Sequence, residues 1–156
     1  MSSAELDTLA RIGQLKREPP APRELVGLRV SGERRLADAQ RAELAFDSRF
    51  DLAYNAAHAL ALCALRRLGL RSDSRYLVFQ VLPHTLGLPP AQWRVLAKAH
   101  QRRNLAEYEG HLEHDERLLA DMLAATEVML NAIRSLPPLP GQDGAAGPML
   151  NRGLAQ

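Results

Sequence analysis

The segment from Ser48 to Leu68 constrains the fold more than any other part of the chain. It reads SRFDLAYNAAHALALCALRRL, and residues 52–65 are apolar nearly all round when placed on a helix. A helix that is apolar on every side has no face suited to water, so other elements must enclose it. Phe46 precedes Ser48 as a hydrophobic staple before the expected N-cap, and Gly69 follows where helices often end. We therefore expect a central, buried helix over 48–68.

The elements that enclose this helix are expected to be helices as well. Leu and Ala number 28 and 24 of the 156 residues, whereas Val and Ile together number 8 and Thr 3. Strong helix formers are therefore abundant and strand formers scarce, which excludes a β-sandwich or barrel and disfavours a parallel sheet. All seven aromatic residues lie between Phe46 and Tyr108, so the bulky part of the core should come from the middle helices.

Apolar spacing and capping residues predict an all-α, up-and-down bundle of about five helices, with one further short or broken helix. Ser3 is the expected N-cap of the first helix, and Asp73 or Ser74 that of the fourth segment. Pro83 is expected to kink or end that segment, and a bend or break near Gly32 is compatible with the second segment. The expected segments are 3–15, 23–43, 48–68, 74–86, 90–109 and 113–136.

These segments are expected to form one domain over residues 1–136, because 156 residues leave little room for a second. Residues 137–156 have neither periodicity nor aromatic side chains and are expected to be a disordered tail. No apolar run approaches the roughly 18 residues of a membrane span. The N-terminus lacks a signal-peptide pattern, and Cys63 is the single cysteine, so a cytoplasmic location without membrane contact is expected.

Charge is unevenly distributed along the chain although the net charge is only +2. From Arg66 to Arg103 there are eight basic residues and one acidic residue. From Glu107 to Glu127 there are seven acidic residues and one basic residue. Such neighbouring blocks indicate either a basic binding surface or two helices that pair their charges, with each other or with a second subunit. The sequence leaves these alternatives open.

The helix expected over 90–109 carries the candidate site. When successive residues are turned by 100°, one stripe along this helix is apolar for two turns and then becomes polar. Such polar groups must be solvated, paired in a buried network, or open into a cleft, because burial without a partner costs roughly 1–3 kcal/mol per group. The stripe consists of Trp93, Leu96, Ala97, His100, Asn104, Glu107 and Tyr108, with Arg103 at its edge.

The polar half of this stripe has side chains suited to a nucleic acid. Arg103 can hold a phosphate through its guanidinium fork and Asn104 through its amide, while Tyr108 offers a ring on which a base can stack. Glu107 and His111 have the spacing of metal ligands, but the helix is expected to end between them and no compact ligand set completes them. No glycine-rich phosphate loop or nucleophile elbow occurs, so neither a cofactor nor a metal is expected.

Three consecutive segments carry a resemblance to a known family, and they read RFDLAYNAAHALALCALRRLGLRS, RYLVFQVLPHTLGL and AKAHQRRNLAEYEG. Together they resemble the HEPN domain (higher eukaryotes and prokaryotes nucleotide-binding), and the resemblance covers about residues 46–136. The family is similar in architecture, an α-helical bundle that commonly dimerises with the motifs of two subunits facing each other. Many members resemble metal-independent endoribonucleases, and others are non-catalytic RNA-binding proteins or partners in toxin–antitoxin or defence systems.

The resemblance also implies roles for individual residues. Arg103 would contact the scissile phosphate and stabilise its added negative charge, and Asn104 would orient the site. Tyr108 stands where the family carries a histidine, four to six residues beyond the arginine. Because a tyrosine with a pKa near 10 is a poor base at neutral pH, His100 is the expected titrating partner. Further binding residues expected around this site are Arg102, Glu107 and His111.

The sequence thus predicts a homodimeric HEPN-like protein that binds RNA, another nucleic acid or a nucleotide through the Arg103–Asn104–Tyr108 face. Metal-independent endoribonuclease activity is left open. The alternative is a non-catalytic helical module for dimerisation or protein interaction, whose polar stripe is an interface. An antitoxin-like protein partner is compatible with either function.

Overall fold

A computed structural model describes residues 3–137 and shows the all-α fold that the sequence predicts. Two strands of two residues each form an antiparallel ladder, in which Lys16 lies opposite Arg71. Of the expected tail over 137–156, all but Pro137 lies outside the described residues. The elements in chain order are α1 (Ala4–Arg11), β1 (Lys16–Arg17), α2 (Pro22–Ala39), α3 (Phe46–Arg67), β2 (Leu70–Arg71), α4 (Arg75–Gln80), α5 (Leu82–Thr85), α6 (Pro90–Glu109) and α7 (Glu116–Arg134).

The central helix is α3, as the sequence predicts. It packs most extensively against α2 and α7, while α6 packs against α4 and α7 at the other side of the core. The alanines of α3 let neighbouring helices approach closely. Phe50, Tyr54 and Leu60 of the same helix fill the interior, and each is at most 1% exposed. The prediction of Ser48 as N-cap is wrong, because the extended residue before the helix is Ala45 and Ser48 lies inside the first turn.

Proline and capping residues set most of the other boundaries. Ser3 and Ser74 accept hydrogen bonds from backbone N–H groups in the first turns of α1 and α4, which confirms both predicted caps. Pro83 divides the segment expected over 74–86 into two helices, since proline provides no N–H and is tolerated in the first turn of α5. The bounds 90–109 are confirmed for α6, which ends before Gly110 with its φ of 79°.

The outer segments are shorter than the sequence predicts. The first ends at Arg11 instead of residue 15, and the second ends at Ala39 instead of residue 43. The last begins at Glu116 instead of residue 113, because Asp115 accepts a hydrogen bond from the backbone N–H of Leu118 and caps the helix there. Within residues 3–137, no helix has both the length and the apolar character needed to span a membrane.

Gly32 lies within a continuous α2, so the helix does not break there. A Cβ atom at this position would lie 2.6 Å from the Cγ and Cδ2 atoms of Leu60 on α3. That distance is far inside van der Waals contact, so the missing side chain is what permits the two helices to pack this closely. The glycine that weakens α2 locally therefore stabilises its contact with the central helix.

Arg66, near the end of α3, is completely buried and joins the N-terminal part of the chain to the bundle. Its Nε atom donates to the Glu24 carboxylate at 2.7 Å, and its other nitrogens donate to the backbone carbonyls of Glu18, Pro19 and Leu70. These contacts satisfy the buried charge. The hydrogen bond between Arg66 and Glu24 lowers the pKa of Glu24 and raises that of Arg66.

Candidate functional site

The two halves of the α6 stripe lie in different surroundings. Leu96 and Ala97 are buried in the core, as the apolar half of the stripe predicts. His100 lies at the boundary and is half-buried, whereas Asn104 is exposed and Tyr108 is 93% exposed. This face of α6 therefore becomes exposed between Ala97 and Asn104, and the stripe turns polar where it leaves the core.

His100 is held against α3 by Tyr54. The Tyr54 hydroxyl oxygen lies 2.8 Å from His100 Nδ1, and the two rings stack with a 24° angle between their planes. The rings of Phe79 and Tyr76 also contact the imidazole, with centroids 6.4 and 5.8 Å away. On its outward side, His100 Nε2 lies 3.0 Å from Asn104 Nδ2. Both ring nitrogens thus have a protein partner.

Two arginines lie against the same tyrosine ring. The Cζ atom of Arg103 is 4.8 Å from the Tyr54 ring centroid, and that of Arg75 is 5.7 Å from it. Both distances are within the range of attraction between a guanidinium and an aromatic face. We call Tyr54, Arg75, His100, Arg103 and Asn104 the His100 cluster.

The electrostatic environment keeps the His100 imidazole neutral at neutral pH. Burial lowers its pKa most, and the positive charges of Arg103 and Arg75 lower it further. His58, one helical turn after Tyr54, has its pKa lowered to about 4 by burial and by the charges of Arg75, His100 and Arg103. Two neutral imidazoles therefore lie within the field of two permanent cations.

A groove of about 350 Å³ adjoins the cluster at Arg103, between the start of α3 and the end of α6. Arg103, Glu107 and His111 line it together with Asp51, so three residues predicted from the sequence share one concave surface. Arg103 contacts Asp51 across the groove at 3.8 Å and Glu107, one turn later on α6, at 3.4 Å. Among residues 3–137, no group of three or more His, Cys, Asp or Glu side chains could hold a metal ion.

Two predicted site residues lie apart from the cluster. Tyr108 lies on the same predicted stripe as Asn104, but this face of α6 is exposed there and the tyrosine side chain projects into solvent. Arg102 donates to Asp115 and forms an ion pair with Glu113, each at 3.2 Å, so it ties α6 to the start of α7. The basic and acidic blocks of the sequence are thus partly paired with each other within the chain.

Two members of the cluster were absent from the sequence-predicted site. Tyr54 lies in the apolar run of α3, where its only signal was a hydroxyl among apolar side chains. Arg75 was part of the basic block, and its place at the start of α4 gave no indication that it would lie over Tyr54. Because a single sequence shows which residues share a helix face but not which faces meet, neither pairing could be derived from spacing.

Comparisons with known proteins identify no relative of this chain. No family model matches the sequence, and no curated protein and no solved structure shows significant similarity to it. The geometry of the cluster is therefore the basis on which a function is inferred.

Proposed function

We propose that this protein binds RNA through the His100 cluster, where Arg75 and Arg103 hold a backbone phosphate. One observation carries the proposal: two guanidinium groups and a neutral imidazole converge on one buried tyrosine. Guanidinium groups pair with phosphate oxygens through two parallel N–H donors, which lysine cannot do. The resemblance of RRNLAEY and its flanking segments to the HEPN domain supports the same ligand.

The intrachain partners of Arg103 leave it available to a ligand. Its contacts to Asp51 and Glu107 are 3.8 and 3.4 Å long, and both carboxylates are about two-thirds exposed. Exposed ion pairs of this kind contribute at most about 1 kcal/mol. A hydrogen bond to a charged group contributes about 1.5–3 kcal/mol, so a phosphate can replace these carboxylates.

The neutral imidazole also permits cleavage of the bound strand. In this reaction His100 accepts the proton of a ribose 2′-hydroxyl, and the 2′-oxygen forms a bond to the adjacent phosphorus. The bond from phosphorus to the 5′-oxygen breaks, and the leaving oxygen takes a proton from water. Arg103 stabilises the negative charge that accumulates on the phosphate oxygens. The reaction needs no metal ion, and we propose that the protein is an endoribonuclease of this kind.

RNA binding is tested by fluorescence anisotropy with labelled single-stranded RNA at several salt concentrations. Arg75→Gln and Arg103→Gln are each expected to weaken binding about tenfold or more. Because the two arginines share one phosphate, each substitution should also reduce the slope of log affinity against log salt concentration by at most about 0.7, the value for one phosphate of a single strand. The matched control is Arg94→Gln, an exposed arginine of α6 outside the cluster, which should bind as the wild type does. Absence of RNA binding by the wild type at low salt would overturn the proposal.

Cleavage is tested separately, with chelator present and with a substrate that carries one 2′-deoxyribose as the uncleavable control. His100→Gln should abolish strand scission while leaving RNA affinity within about twofold, because binding depends on the arginines. If the wild-type protein leaves RNA intact at high protein concentration, the enzymatic part of the proposal fails and the binding part stands.

A second candidate function is favoured by the end of α6. Tyr108 is 93% exposed and Leu105, three residues earlier on the helix, is 50% exposed. Large apolar side chains grouped at a projecting helix end are typical of protein contacts. Sedimentation of the wild type, Tyr108→Ser and, as control, Val128→Ser on α7 tests whether this end mediates a homodimer. A dimer that Tyr108→Ser disrupts, combined with no RNA affinity, would favour a non-catalytic interaction module.

A further inference from the structure

We infer that Tyr54 is a positioning residue that, together with the Asn104 amide, determines which nitrogen of His100 carries the proton. Its hydroxyl oxygen accepts the hydrogen of the Nδ1–H form, which leaves Nε2 as the nitrogen that accepts a proton from a substrate. The role in catalysis rests on the proposed function, whereas the protonation state is a property of the free protein.

The hydrogen-bond partners of His100 determine this assignment. The atom that faces Nε2 is the amide nitrogen of Asn104, 3.0 Å away, and an amide nitrogen only donates. Nε2 must therefore present its lone pair. A neutral imidazole carries one N–H, so the hydrogen is on Nδ1, which donates to the Tyr54 hydroxyl oxygen 2.8 Å away. The bond made by one ring nitrogen thus sets the state of the other.

Tyr54 is suited to this role because its side chain is buried and its hydroxyl-bearing ring is packed by neighbouring side chains. The side chain is 1% exposed on the central helix, and Phe79 packs edge-on against its ring with centroids 5.7 Å apart. Arg75 and Arg103 lie over the same ring. One buried side chain therefore contacts the imidazole and both guanidinium groups.

The two nitrogens of His100 also differ in access. Nδ1 faces the buried hydroxyl, whereas Nε2 faces Asn104, whose side chain is exposed. A ribose hydroxyl can therefore displace the Asn104 amide and donate to Nε2 without disturbing the core. Tyr54 itself stays out of reach of the substrate, which makes it a positioning residue and not a catalytic one.

The test is NMR spectroscopy of the full chain with ¹⁵N-labelled histidine, because imidazole nitrogen shifts distinguish the two neutral forms. We expect the Nδ1–H form of His100 in the wild type. Tyr54→Phe removes the hydroxyl but keeps the ring, so a hydrogen on Nδ1 loses its acceptor. The exposed Asn104 amide can then turn its oxygen toward Nε2, and His100 should shift toward the Nε2–H form. The matched control is Tyr76→Phe, whose ring contacts the same imidazole at 5.8 Å and whose substitution should leave the Nδ1–H form in place.

An Nε2–H form in the wild type, or an unchanged Nδ1–H form in Tyr54→Phe, would overturn the inference. If Tyr54→Phe does not fold, the wild-type spectrum alone decides. In the cleavage assay, Tyr54→Phe should lower kcat about tenfold or more with KM nearly unchanged, since proton transfer is worth about 10²–10⁴-fold. Because the spectra contain no RNA, failure of RNA binding refutes the proposed function without affecting the result for Tyr54.

Discussion

Replacing Arg66 with methionine should destabilise the protein by roughly 3 kcal/mol, and the structure gives the reason for that size. The Arg66 side chain is 1% exposed and donates five hydrogen bonds, two of them to the Glu24 carboxylate. Removing one member of a buried ion pair costs about 3–5 kcal/mol. The lower value applies here because the Glu24 side chain is 27% exposed, so water can solvate the carboxylate that remains.

The assay is urea unfolding monitored by circular dichroism, in which the midpoint should fall while the slope stays constant. For a chain of this length, roughly 3 kcal/mol corresponds to a decrease in Tm of about 10 °C. The matched control is Arg71→Met. Arg71 contacts the same two carboxylates, at 2.9 Å to Glu18 and 3.2 Å to Glu24, but its side chain is 37% exposed. Exposed pairs contribute little, so this variant should lose at most about 1 kcal/mol.

Equal losses in the two variants would refute the reasoning, because burial is the property that separates Arg66 from Arg71. An Arg66→Met protein as stable as the wild type would also refute it. That result would mean that apolar packing of methionine compensates fully for the lost hydrogen bonds.

Three further predictions concern stability and reactivity. The hydrogen bond from Arg66 lowers the pKa of Glu24 in the folded protein. The stability that this bond contributes is therefore fully present above the pKa of Glu24 in the unfolded chain, and it is lost as the pH falls through the lower pKa of the folded protein. The difference in the free energy of unfolding between the wild type and Arg66→Met, measured with urea, should therefore become smaller as the pH is lowered. A difference that stays constant with pH would contradict this. In the same assay, Gly32→Ala should lower the free energy of unfolding by about 1–3 kcal/mol, because the new methyl group clashes with α3. Gly27→Ala has open space around the new methyl group and should raise the free energy of unfolding by up to about 1 kcal/mol. Burial raises the pKa of the Cys63 thiol to about 11, so a thiol reagent at neutral pH should react at a rate that rises with added urea.

The sequence predicts the fold well where a local pattern is sufficient. Residues 52–65 are apolar on every side, which only a central helix accommodates, and α6 begins at Pro90 and ends before Gly110 as predicted. The expectation that Ser48 caps α3 was wrong, and the packing role of Gly32 was not predicted, for a common reason. The position of a cap and the packing role of a glycine depend on where neighbouring elements lie, and this is a property of the tertiary structure.

The candidate site was predicted in part. Helical spacing placed His100, Arg103 and Asn104 on one side of α6, and the structure brings these three together. Their partner Tyr54 is 46 residues away from His100 in the chain, and its position in an apolar run indicates only burial. Tyr108 lies on the same face of α6 as Asn104 in a helical projection, but such a projection cannot show where that face becomes exposed.

The most direct test of phosphate binding at the His100 cluster is the pKa of His100, measured by NMR with and without single-stranded RNA. The charges of Arg103 and Arg75 help to lower this pKa in the free protein. A phosphate held by the two guanidinium groups offsets those charges, so the pKa should rise when RNA binds. His84 on α5 lies outside the cluster and contacts Glu5, so it serves as the internal control, and its ring signals should not respond to RNA. RNA that binds without altering the pKa of His100 would contradict the account.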